Sequence, residues 1–220
     1  MTESTPPSPA APVGPDPAQR IVWVDCEMTG LDLGSDALVE IACIVTEGDL
    51  TELDSGISLV VKPSDAPLAA MDDVVVAMHT ESGLLDEIPQ GTTLDDAEQR
   101  VLDYVKSHVP EARKAPLAGS SVYVDRGFLA RYMPDLDGHL HYRLIDVSSI
   151  KEISRRWYPR AYFATPAKTG NHRALADIRE SIAELRYYRD AVFVPHPGPD
   201  SPTARAMGES HVVDHGGAAH

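Results

Sequence analysis

Two carboxylates spaced one residue apart, Asp25 and Glu27, close the apolar run Ile21-Val22-Trp23-Val24. In a strand, residues two apart project from the same face, about 6.6 Å apart along it. Acids placed that way repel one another strongly unless a cation lies between them. Taken alone, such a pair is more often a solvated strand end, so metal chemistry here needs partners from elsewhere. Asp177 is one candidate. It precedes Ile178 in a helical stripe, and its neighbours three back and four ahead, Ala174 and Ser181, are small enough to leave the helix surface open around it. An exposed acid on a charged helix explains Asp177 equally well. His172 lies five residues earlier, about 140° away around a continuous helix. The two side chains aim at one site only if His172 sits in an unwound lead-in, for which Thr169-Gly170-Asn171 is suitable boundary chemistry.

The elements that must position these groups follow from periodicity. Ile21 to Asp25, Leu38 to Thr46 and Gly56 to Val61 read as strands, and the short polar turns between them suit an antiparallel meander. A helical region follows around Ala69 to Leu85. A stronger helix starts at Thr93, with Leu94, Ala97, Val101, Val105 and Val109 at helical spacing, Thr93 and Asp96 resembling a capping box, and Pro110 ending it. Pro116 to Ser121 reads as a strand, Asp125 to Tyr132 as a helix, and Tyr142 to Val147 as a fifth strand. Ser149 with Glu152 is the expected cap of a short helix running to Trp157. The last helix, His172 to Asp190, carries Leu175, Ile178, Ile182 and Leu185 on one stripe. Three meandering strands, then two strands alternating with helices, imply an α/β fold: a mixed five-stranded sheet, antiparallel meander plus parallel strands, flanked by helices. Residues 1–19 hold a Pro-rich leader and 195–220 a Pro/Gly-rich tail; both are expected to be disordered, leaving 20–194 as the single folded domain.

Four segments then match one family together and in order: Asp25-Cys26-Glu27-Met28-Thr29-Gly30-Leu31-Asp32, Ser120 to Arg126, Tyr142 to Ser148, and Asn171 to Asp177. Together they resemble the DEDDh exonucleases of the RNase H-like fold and, within them, the oligoribonucleases. The resemblance implies that Asp25, Glu27, Asp125 and Asp177 hold two divalent cations, Mg²⁺ or Mn²⁺, as all-oxygen ligands suit such hard ions. It implies that Asp25 bridges the two ions and that His172 is the general base for the attacking water, a role open to imidazole near neutral pH. It places Thr29 and Gly30, through backbone donors, near the terminal ribose, and Leu31 as an apolar wedge against the bases. His79, Ser121, Tyr142, Arg143 and Ser148 would surround a dinucleotide and cap its 5′ phosphate, some of them from a second subunit, which implies a homodimer. Ser120 departs from the family, where Asn is commoner. Cys26, between the two acids, is expected to point into the core.

Composition narrows the substrate. The chain has 220 residues, 19 Lys+Arg against 34 Asp+Glu, and a formal net charge of −15. Affinity for a polyanion comes mainly from neutralising phosphates, so a surface this acidic disfavours long nucleic acid, and a nucleic-acid substrate should be short or held through metal ions; the family resemblance implies short RNA of 2–5 nucleotides. The charge is uneven: Lys151 to Asp190 holds nine basic residues against five acidic ones, the place where an anion-binding face is expected. No apolar run approaches the ~20 residues of a membrane span, no secretory signal is apparent, and Cys26 and Cys43 form no disulfide or metal pattern, so the expectation is a cytoplasmic protein. The expected activity is 3′-to-5′ hydrolysis of short oligoribonucleotides, dinucleotides especially, to nucleoside 5′-monophosphates. The alternatives are a DEDDh enzyme trimming DNA or tRNA 3′ ends, and a silent scaffold, against which the filled catalytic positions argue.

Overall fold

Strand β1 (Ile21–Met28) is buried along almost its whole length, and its alternation decides the architecture. Val22, Val24 and Cys26 face one hydrophobic core, while Ile21 and Trp23 face another on the opposite side of the sheet. The computed structural model describes residues 19–167 and 172–212. Within them β1 pairs antiparallel with β2 (Leu38–Thr46), which pairs antiparallel with β3 (Ile57–Val60). On its other side β1 runs parallel to β4 (Pro116–Gly119), and β4 parallel to β5 (His141–Asp146). The sheet order is therefore β3-β2-β1-β4-β5, the mixed sheet expected from the sequence.

Helices cover both faces. Beyond β3 come α1 (Asp65–Ala69), α2 (Asp73–Glu81) and α3 (Leu84–Glu87), then α4 (Leu94–His108). Ala97, Val101 and Val105 of α4 pack into the Val22/Val24/Cys26 core, beside Phe128 and Leu129 of α5 (Tyr123–Tyr132). α6 (Pro134–His139) adds Leu136 to that core. α7 (Val147–Trp157) and α8 (Pro159–Phe163) follow β5. On the opposite face, Ala174, Ile178 and Ile182 of α9 (Ala174–Val192) close over Trp23, whose indole donates to Thr46 Oγ1 at 3.1 Å. Asp25 and Glu27 have the parity of Trp23, so they lie on the face that α9 covers. Cys26 is buried in the other core, as expected.

Several expectations are corrected. The region from Ala69 to Leu85 is broken: Asp72 caps α2 by accepting from Val74 and Val75, and Gly83, with φ 75°, separates α2 from α3 in a conformation that glycine adopts without strain. The cap of α7 is Asp146, which accepts from Ser148 N, so the Ser149–Glu152 capping box does not form. α6 and α8, each opened by proline at its first turn, were not expected. The tail expected to be without structure carries α10 (Ser201–Ser210), capped by Asp200 and exposed throughout. The leader lies outside the described residues apart from Gln19. Among the described residues no helix is long and apolar enough to cross a membrane.

Candidate active site

Three carboxylates from two elements converge at the end of β1. One oxygen from each of Asp25, Glu27 and Asp177 lies within 4.8 Å of the other two. The strand alternation puts the first two on α9's side of the sheet, and Asp177 reaches them from the first turn of α9. Asp125, in the first turn of α5, also reaches β1. Its Oδ1 accepts from the backbone N–H of Cys26 at 2.9 Å, so it is buried beside the trio and outside it.

The electrostatics are those of a cation site. Burial, and then the charges of Asp125, Glu27 and Asp177, hold the Asp25 carboxyl well above the usual carboxylate range. Burial, followed by Asp177 and Glu40, pushes Glu27 to about 8. Burial raises Asp125 to about 7 against the hydrogen bond from Cys26. Without a counter-charge these acids keep protons that a hard cation would displace, and an all-carboxylate donor set is the chemistry such a cation prefers. The residues fit a divalent ion.

His172 precedes α9 by two residues, is exposed, and has φ 46°, so it stands in a lead-in outside the helix as its pairing with Asp177 requires. Thr169, Gly170 and Asn171, expected to form that boundary, lie outside the described residues. His79 of α2 is wholly buried. Its Nε2 lies 2.9 Å from Met28 O, and its Nδ1 lies 4.0 Å from Glu27 Oε2. Its contacts are therefore with β1, beside the carboxylate cluster, and it is closed off from solvent.

The loop after β1 is tied by Asp36. Its carboxylate accepts from Thr29 Oγ1 at 2.8 Å and from Asp32 N at 2.9 Å. A Cβ on Gly30 would lie 2.4 Å from Asp36 Oδ2, so any larger residue would push the Asp36 carboxylate out of this arrangement. Thr29 N–H donates to Ala37 O at 3.0 Å and is thereby engaged, which corrects the expectation that it faces the ribose as a backbone donor. The loop holds Leu31 73% exposed, which suits a wedge and excludes a core leucine.

A second polar cluster stands at the C-terminal ends of β4 and β5. Asp146 Oδ1 accepts from Ser121 N at 3.0 Å and Ser148 N at 2.9 Å, holding Ser121 in the left-handed region at φ 56°. Ser148 Oγ lies 3.0 Å from both Ser120 Oγ and Ser121 Oγ, so three hydroxyls meet. Tyr142 and Arg143 are exposed on edge strand β5, with the Arg143 guanidinium 5.5 Å from the Tyr142 ring centre. Asp36 and Asp146 were missed in the sequence. Aspartate two residues before Ser148 in a quoted motif was the available signal for the second.

Among the described residues of the basic run Lys151 to Asp190, seven of the eight basic side chains are engaged within the protein, against the expectation of an anion-binding face; Lys168 lies outside the described residues. Arg155 and Arg156 pair with Glu152, and Lys151 with Glu184. Arg173 pairs with Glu40 and Glu87, Arg179 with Glu52, and Arg186 and Arg189 donate to the carbonyls of Leu50 and Asp49.

The comparisons with known proteins agree with this geometry. The Exonuclease family profile matches residues 22–185. The chain is 63% identical over 194 residues to an oligoribonuclease of Streptomyces avermitilis, covering 88% of this chain and 97% of that one. It is 57% identical over 189 residues to an oligoribonuclease of Mycobacterium tuberculosis, covering 86% and 88%. This chain belongs to the oligoribonuclease family. Like other oligoribonucleases it is a 3′-to-5′ exonuclease. The structure of exonuclease I superposes with a TM-score of 0.60 at 12% identity, covering 88% of this chain and 44% of that one, and shares the RNase H-like fold. E. coli exonuclease I in complex with a dT13 oligonucleotide superposes similarly, with a TM-score of 0.61 at 14% identity over 90% of this chain and 45% of that one.

Proposed function

We propose that this chain hydrolyses 5′-phosphorylated RNAs of two to five nucleotides, dinucleotides above all, from the 3′ end to nucleoside 5′-monophosphates, using two divalent cations, Mg²⁺ or Mn²⁺. Action on short oligoribonucleotides is the activity of the family to which it belongs. The observation that carries the reading is the convergence of Asp25, Glu27 and Asp177 within 4.8 Å, with Asp125 buried alongside. Those four side chains would hold the ions, Asp25 bridging and Asp125 serving the second. Bound ions of this kind supply Lewis acidity to the scissile phosphate and its attacking water.

The chain's own groups do the rest. His172, in its lead-in before α9, takes the proton from the attacking water. Leu31 stacks against a base from the rigid Asp36 loop. The Ser121 and Ser148 hydroxyls and Arg143 receive the 5′ phosphate, a charge-assisted arrangement that admits a terminal phosphate and obstructs a longer chain. This accounts for a ribonuclease of net charge −15: a dinucleotide needs a closed pocket and no basic track.

The same reading makes the enzyme a homodimer. β5 is an edge of the sheet, and Tyr142 and Leu144 on it, with Ile153 and Trp157 of α7 and Phe163 of α8, are exposed apolar side chains that a second copy would cover. Two buried unpaired thiols, Cys26 and Cys43, support a cytoplasmic enzyme.

A length series of 5′-phosphorylated RNAs tests the proposal. Turnover should be fastest on the dinucleotide, and Arg143→Ala should lose most of that preference, about 10–100-fold on the dinucleotide. Faster turnover of a twenty-mer by the unaltered enzyme would favour end-trimming instead.

A further inference from the structure

Glu40 is the single charged residue within β2, and it is 1% exposed. It stands opposite Glu27 in the β1–β2 register, next to the carboxylate cluster but outside it. Its Oε1 accepts from Ser58 Oγ at 2.8 Å and Arg173 Nη2 at 3.3 Å. Its Oε2 accepts from Arg173 Nε at 3.2 Å and from the backbone N–H of Ala174 at 3.3 Å. The Arg173 guanidinium also donates to both oxygens of Glu87 on α3, at 2.9 Å each. A charged residue inside an otherwise apolar strand was the sequence signal for this arrangement.

The contacts define a geometric constraint. Arg173 is the N-cap residue of α9, and its own side chain makes no cap. The cap comes from β2, where the Glu40 carboxylate receives the first helical N–H, a favourable place for negative charge. The forked guanidinium fixes the same turn to α3. Asp177 is four residues beyond Arg173, and His172 is adjacent to it on the other side.

We propose that Arg173, seated on Glu40, is the positioning residue that fixes the height and rotation of α9's first turn, and so where Asp177 and His172 stand relative to Asp25 and Glu27. The inference rests on the assignment of Asp25, Glu27 and Asp177 as cation ligands made above. Arg173 donates to Glu40 and Glu87 and lies outside the carboxylate group, so it acts through the two residues it places. Lysine could neutralise Glu40 but cannot hold two carboxylates in a planar fork, so it should rescue only in part.

The test compares Arg173→Met, Arg173→Lys and Arg179→Met in the full chain. Arg179 makes a comparable staple on the same helix, to Glu52 and Ser55 O, away from the carboxylates. Calorimetric Mn²⁺ titration of metal-stripped protein and steady-state kinetics on a 5′-phosphorylated dinucleotide are the readouts. Arg173→Met should weaken Mn²⁺ binding and lower kcat by about 10–100-fold each with KM nearly unchanged, the scale on which partners of metal ligands act. Arg173→Lys should fall between it and the unaltered enzyme, and Arg179→Met should match the latter in both. Arg173→Met that behaves like Arg179→Met, with kcat and Mn²⁺ affinity within about twofold of the unaltered enzyme, would overturn the proposal and leave a plain structural staple. If circular dichroism finds Arg173→Met unfolded, Glu40→Gln replaces it, with the same expected losses and the same overturning result. Asp25→Asn binding Mn²⁺ as tightly as the unaltered enzyme would remove the ligand assignment itself, an outcome separate from either.

Discussion

The two ends of α9 use charge in opposite ways. From its second turn to its C-terminus Arg179, Arg186 and Arg189 each find an acceptor in residues 49–55, so every cation meets a carbonyl or a carboxylate. At its N-terminus Asp177 is brought up to Asp25 and Glu27, acid against acid, and the buried members of the group are pushed toward protonation. Folding alone gains from the first arrangement and is opposed by the second. Matched charge fastens the helix; like charge gathered in a partly buried place calls for a cation from outside.

The sharpest way to break this contrast is to remove the acid at its centre. Asp25→Ala should reduce turnover of a dinucleotide by at least about 10²–10³-fold, the scale on which lost electrostatic stabilisation of a transition state is measured, while the circular dichroism spectrum of the metal-stripped chain stays unchanged.

A smaller effect concerns pH. In the unfolded chain the Glu27 carboxyl ionises near 4.5, whereas in the metal-free folded protein it retains its proton to about 8. Between those values the folded state binds more protons, so the stability of the metal-free protein should fall as pH rises through that window and level off above it. Glu27→Gln should flatten this slope and raise the melting temperature at pH 8 by several degrees, with little change at pH 4. Mn²⁺ should stabilise the unaltered chain more at pH 8 than at pH 5. A melting temperature that rises from pH 5 to pH 8 without metal would contradict the charge assignment.

The smallest effect is expected at the other end of the helix. Arg189→Ala should cost under about 1 kcal/mol, since a half-exposed staple contributes little, and dinucleotide turnover should not change. A larger loss by chemical denaturation would mean that the matched end carries more of the fold than its geometry implies.

Much of this was legible in the sequence, for reasons of periodicity. The two-residue repeat of β1 put Asp25 and Glu27 on one face, and the stripe Leu175-Ile178-Ile182-Leu185 put α9 over a sheet with Asp177 at its start. The unwound position of His172 followed from the angle between residues five apart. What the sequence hid depends on long-range approach. Glu40 stands out as the charged residue of β2, but nothing local identifies Arg173, 133 residues away, as its partner. The same is true of Arg179, Arg186 and Arg189, whose concentration in one stretch suggested an anion site until their acceptors in the 49–55 loop were located. Asp146 outcompeted Ser149 as the cap of α7 because β5 ends directly against it, a boundary that differs by one turn from the expected one. Thr29 looked available to a ligand because the loop that returns to Ala37 engages its N–H through tertiary structure alone.

The most direct measurement is a calorimetric Mn²⁺ titration of the metal-stripped chain at pH 8, alongside Asp25→Asn and Asp177→Asn. Saturable binding by the unaltered protein, lost or strongly weakened in both variants, is the predicted result. Binding that survives both substitutions unchanged would show that these carboxylates, though neighbours, hold no ion.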